Sequence, residues 1–140
     1  MSGIIDILSD FVLTSMCSFV PLWQYDAFFE NDRISLVNFS LLHITCKDAE
    51  EAKTIGKILV EEKLAACINI LKDVHSIYRW KGKIEEAEEA VLFAKTTADL
   101  VPKLITKVKE LHSYDCPCIV SLPIMEGNEE YLRWIEESCE

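Results

Sequence analysis

Two thiols and an imidazole near the end of the chain have the chemistry of a soft-metal site. Cys116 and Cys118 flank Pro117, and His112 lies four residues before Cys116. In an extended segment, residues i and i+2 project to one face. Both thiols can then approach one ion, with an imidazole at the preceding helix end as a third donor. Such ligands suit Cu(I) or Zn(II). The competing reading makes Cys118 a small core hydrophobe and Cys116 a bystander. Cys46 is a further candidate, because it ends a strand beside a helix N-terminus. That position is expected to expose the thiol and lower its pKa. Cys67 reads as core, and His43 and His75 as satisfied strand histidines. Cys17 and Cys139 carry no pattern.

A second constellation is aromatic. Tyr78, Trp80 and Tyr114 can wall a pocket with Lys95, a lone cation on an otherwise apolar strand. A lysine there needs a carboxylate partner or an anionic ligand, and Asp115 is the expected partner. A structural ion pair at a subunit contact fits the same residues. The acidic run Glu85, Glu86, Glu88 and Glu89 reads as a solvated hairpin face. Other chemistries lack their signatures. The four glycines are not clustered into a nucleotide loop, and G-x-S-x-G, H-E-x-x-H and C-x-x-C are absent. A Cys116–Cys118 redox pair is disfavoured, since an i, i+2 disulfide on an extended strand strains the required geometry.

The elements that position these residues follow from periodicity. Residues 37–46 read as a buried strand. Ala52, Ile55, Gly56, Leu59 and Val60 form a helical stripe, with Asp48 as N-cap. Residues 65–80 are β-branched and aromatic, Lys81 and Gly82 mark a tight turn, and a second strand runs to about Thr97. A helix follows from near Asp99, with Pro102 in its first turn and Val101, Leu104, Ile105, Val108 and Leu111 on its buried side. A fourth strand covers roughly 117–124. Gly127 and Asn128 open a last helix whose apolar face is Tyr131, Trp134 and Ile135. The expected fold class is α+β: a ferredoxin-like βαββαβ sandwich with an extra C-terminal helix. Right-handed crossovers put both long helices on one face. The bare opposite face is too apolar for water, which implies self-association.

The chain has 140 residues and a formal net charge of −10. The first 33 residues hold five acids and one base (−4), and the remainder contributes −6. This balance argues against nucleic acid as a partner, since phosphate binding needs a cationic footprint. Six irregularly spaced cysteines do not read as a disulfide scaffold. Residues 1–32 lack the Lys or Arg of a signal peptide. The apolar run from Phe11 to Trp23 falls short of the ~20 residues of a membrane span. A cytoplasmic location, with no membrane and no organic cofactor, is expected. Residues 1–36 form an N-terminal extension. Ile4, Ile5, Leu8, Phe11 and Val12 have the spacing of a short amphipathic helix within it.

Five segments then occur in order: LAACINI at 64–70, SIYRWKGKIEE at 76–86, AKTT at 94–97, LHSYDCPCIVSLPI at 111–124 and GNEEYLRWIEES at 127–138. Over residues 37–140 the chain resembles the CutA divalent-cation tolerance family. The resemblance implies a homotrimer of ferredoxin-like subunits, PII-like in architecture, with clefts at the subunit boundaries. It also implies tolerance to copper and other divalent cations, with no enzymatic reaction attached. Tyr78, Trp80, Gly82 and Lys83 match the family's aromatic turn, Lys95 and Thr96 its Lys-Thr pair, and His112, Tyr114 and Pro117 its His-x-Tyr-x-x-Pro segment. Cys46 matches a position that is commonly Cys. Cys118 departs from a usual Glu linked to metal binding, and Asp115 from a frequent Glu. The metal site expected from these residues is Cys118, His112, Cys46 and Cys116; the departure at Cys118 either makes it softer than an oxygen site or abolishes it. The alternative is a PII-like regulatory trimer. Its cleft of Tyr78, Trp80, Lys95, Tyr114 and Asp115 would bind a small anionic ligand or a partner protein.

Overall fold

The computed structural model describes residues 38–139. The N-terminal extension and its expected helix lie outside the described residues. Strand β1 (Phe39–Cys46) alternates half-buried and buried positions. Ser40, Leu42, Ile44 and Cys46 point into the core, as a strand buried on one face requires. Helix α1 (Ala49–Glu61) starts at Asp48, whose Oδ1 accepts the Glu51 N–H at 2.8 Å. Glu51 reaches back, and its Oε2 accepts the Lys47 N–H at 2.8 Å, a variant of the capping box. Ala52, Ile55, Gly56 and Leu59 are buried along α1. Val60, expected in the same stripe, is exposed, because the buried arc of the helix ends before it.

Strands β2 (Cys67–Trp80) and β3 (Lys83–Thr97) form a long antiparallel hairpin. Its two-residue turn is Lys81 (φ 46°) and Gly82 (φ 84°), closed by the pair Trp80 and Lys83. Positive φ at both central residues matches the strand twist. The pairing shifts register between Leu71 and Val74, where Asp73 has φ 57°. This bulge places one extra residue in β2. It reverses the alternation, so Val74, Ser76, Tyr78 and Trp80 share a face with Cys67, Asn69 and Leu71.

A single 3-10 turn (Ala98–Leu100) leads into helix α2 (Val101–Leu111). Leu104 and Val108 are buried, while Leu111 lies at the exposed margin. Strand β4 (Ile119–Ile124) pairs with β1. Helix α3 (Glu129–Cys139) follows Asn128, whose Oδ1 accepts the Glu130 N–H at 3.1 Å. The expected apolar face of α3 reduces to Ile135. Tyr131 and Trp134 are exposed and pack against each other with tilted rings, their centroids 5.3 Å apart.

The sheet order is β2-β3-β1-β4, all antiparallel, the ferredoxin-like arrangement. Leu42, Ile44, Leu92 and Ala94 meet Ile55, Leu59, Leu104 and Val108 in one core between α1, α2 and one sheet face. The other face carries Leu71, Val120 and Leu122, exposed at 55%, 49% and 49%. No helix among the described residues is long and apolar enough to cross a membrane.

Candidate functional site

A pocket of about 560 Å³ opens where the hairpin meets the connection from α2 to β4. Tyr78 and Trp80 enter from β2, Glu89 from β3 and Thr45 from β1. Ser113, Tyr114, Asp115, Cys116 and Cys118 enter from the connection. The β2 bulge matters here, because without its extra residue Tyr78 and Trp80 would project from the opposite face. Six residues singled out from the sequence therefore meet: Tyr78, Trp80, Tyr114, Asp115, Cys116 and Cys118.

Glu89 is 6% exposed, which corrects its expected place on a solvated face. Alternation along β3 divides the acidic run. Glu89 turns into the pocket, where its Oε1 accepts the Tyr114 hydroxyl at 2.9 Å. Burial and this carboxylate push the Tyr114 phenol up to about 12. Glu86 and Glu88 turn the other way and grip His75, with Nδ1 to Glu88 Oε1 at 2.7 Å and Nε2 to Glu86 Oε2 at 3.1 Å. Glu88, then Glu86, hold the His75 pKa above its ordinary value.

Lys95 does not line this pocket. It lies six residues beyond Glu89 on β3, roughly 20 Å along an extended strand. Its Nζ donates to Asn69 Oδ1 at 2.5 Å and lies 3.8 Å from Cys67 Sγ. The expected Lys95–Asp115 pair is thus replaced by a cross-strand bond. Cys67 itself is half-buried rather than core.

Cys46 and His112 meet elsewhere, with Glu51 as the third member. Their donor atoms lie within 4.8 Å of one another. His112 and Glu51 are already engaged. His112 Nε2 donates to the Thr45 carbonyl at 2.8 Å, and its Nδ1 accepts the Tyr114 N–H at 3.1 Å. Glu51 Oε1 accepts the Ser113 N–H at 2.8 Å, while Oε2 caps the helix. Cys46 is fully buried. Burial, then the charges of Glu51, Asp48 and Glu89, push its thiol up to about 12. This reverses the expected exposed, acidic thiol: the helix N-terminus that should lower its pKa is occupied by its own acidic caps. The group ties α1, β1 and the connection together, and its donor atoms are also close enough to hold one ion.

Cys116 and Cys118 are exposed at the pocket. Cys118 Sγ lies 3.9 Å from Nδ1 of His43, a residue read from the sequence as structural. The signal was the alternation of β1 and β4. With Ile44 opposite Ile119, Cys118 falls beside Thr45 on the His43 face. Glu51 and Glu89 carried no separable signal inside acidic stretches.

Residues 40–138 match the family described as CutA1 divalent ion tolerance protein. The divalent-cation tolerance protein CutA of Thermus thermophilus is 54% identical over 95 residues, covering 68% of this chain and 92% of that protein. Protein CutA of Mus musculus is 41% identical over 101 residues, 72% of this chain and 57% of that protein. The chain therefore spans little more than half of that relative's length. Among solved structures, CutA1 of Thermus thermophilus matches with a TM-score of 0.71 and 50% identity, over 73% of this chain and 99% of that one. The periplasmic divalent cation tolerance protein CutA of Archaeoglobus fulgidus matches with a TM-score of 0.71 and 42% identity, over the same shares.

Proposed function

On the premise that the chain belongs to the CutA1 divalent ion tolerance family, we propose that it is a non-catalytic trimer binding a soft or divalent metal ion, copper among them, at the pocket. The observation that carries this reading is the pair of exposed thiols, Cys116 and Cys118, with the His43 imidazole 3.9 Å from Cys118 Sγ. One tetrahedral ion bonded to a thiolate and an imidazole holds sulfur and nitrogen roughly 3.5 Å apart, close to the separation present. Thiolate and imidazole donors fit Cu(I) or Zn(II) better than a hard cation. His112 and Cys46 act beneath the site by fixing the connection that carries both thiols.

Leu71, Val120 and Leu122, exposed among the described residues, support self-association, for which a trimer is proposed. Five free cysteines among the described residues suit the reducing cytoplasm proposed for it. The alternative anionic ligand has less support, since Glu89 and Asp115 line the pocket and Lys95 does not.

Equilibrium dialysis of the full chain against Cu(I) and Zn(II) tests the metal reading. Cys118→Ser and Cys116→Ser should each weaken binding by at least tenfold, and His43→Ala by less. Unchanged affinity in both serine variants would remove this site. Sedimentation of a stable monomer at micromolar concentration would remove the trimer.

A further inference from the structure

We propose that the aromatic end of the pocket binds a small organic ammonium ion, with Glu89 as its counter-charge. A carboxylate this buried normally has a cation or metal beside it. Glu89 instead has one neutral partner, the Tyr114 hydroxyl. None of the ion pairs among the described residues includes it. The pocket lining holds a second acid, Asp115, and no Lys, Arg or His. An unbalanced negative charge therefore faces an open cavity.

The walls select the kind of cation. Tyr78, Trp80 and Tyr114 line it with aromatic rings, the side chains whose quadrupoles attract large, weakly hydrated cations. Trp80 already draws Lys81 Nζ to 6.0 Å from its ring centroid. A bare metal ion is a poor occupant at Glu89. The one hydrogen-bond partner of Glu89, the Tyr114 hydroxyl, is a neutral and weak metal ligand. An alkylammonium needs only one carboxylate and apolar walls, and about 560 Å³ accommodates it. This inference concerns the Glu89 and aromatic side of a pocket that Cys116 and Cys118 also line, and the chelator in the test separates it from the metal reading.

The same ammonium chemistry is available from a lysine of a second copy of this chain, so the test separates a free ligand from a neighbouring side chain. Tetramethylammonium chloride is titrated calorimetrically into the full chain in excess chelator, against matched sodium chloride and against the neutral analogue tert-butanol. Saturable binding of tetramethylammonium is expected, with tert-butanol at least ~10-fold weaker. Glu89→Gln and Trp80→Leu should each weaken binding by ~10-fold. Trp80 is exposed, so its variant reads the site even where Glu89→Gln fails to fold. Equal binding of tert-butanol, or no saturable heat with wild type, overturns the proposal. So does an effect of Glu89→Gln confined to oligomeric state, which assigns the counter-charge to a neighbouring copy.

Discussion

Cys46 and Cys118 are the same side chain placed in opposite surroundings. Burial and nearby acids hold the Cys46 thiol at about 12, while Cys118 is open to water. Iodoacetamide at pH 8 should alkylate Cys116 and Cys118 in the folded protein and spare Cys46 until denaturant is added, as read by peptide mass spectrometry. Raising the pH from 9 towards 12 should also lower stability, because the unfolded thiol ionises before the folded one. Glu51 has the reverse linkage. Burial raises its pKa, but bonds from Ser113 and from the Lys47 N–H outweigh this and leave it below 4.5. Its contribution is present above pH 4.5 and is lost as the pH falls further. Glu51→Gln should cost about 1–2 kcal/mol at pH 7 and flatten the acid limb of the stability profile, measured by urea melts.

The hairpin is where single residues decide the behaviour of an element. Gly82 has φ 84° with open space around it, so Gly82→Ala should cost about 1–2 kcal/mol through backbone strain alone. Gly56 presents the opposite case. A Cβ there would lie 2.9 Å from Ile68 Cγ2. Ala gains about 1 kcal/mol in helix propensity, but overpacking costs about 1–3 kcal/mol. Gly56→Ala should therefore be neutral to destabilising, and a clear stabilisation in thermal melts would contradict the close packing of α1 on β2. His75 links both strands through Glu86 and Glu88. Its pKa is held above 6.5, so the clamp is complete below pH 6.5 and fades as pH rises through the folded value. Amide exchange in residues 74–77 and 85–89, corrected for intrinsic rates, should speed up over that range in wild type and not in His75→Gln.

Among the described residues, α1 and α2 close one sheet face, and Leu71, Val120 and Leu122 are exposed on the other. A charge there does not touch the core, so Leu122→Glu separates assembly from folding. Sedimentation should give a smaller species, with the far-ultraviolet circular dichroism of a folded subunit retained. A variant that assembles like wild type would place the contact elsewhere.

Periodicity was sufficient for most of the architecture. Apolar spacing located β1, α1, the hairpin and α2, the Lys81–Gly82 dipeptide located the turn, and strand order with right-handed crossovers implied the sheet. These signals are local, so one chain carries them. Six pocket residues were also legible, because aromatic and thiol side chains are distinctive by type. What the sequence could not reveal was phase and partnership. The bulge at Asp73 has no compositional mark, yet it decides which face receives Tyr78 and Trp80. Glu89 is one acid in a run until β3 alternation buries it. Lys95 and Asp115 are plausible partners by charge, but strand geometry places Lys95 beside Asn69. Cys46 is a reactive thiol by position and an inert one by burial. Each of these depends on distances between segments far apart in the chain, which only the tertiary structure sets.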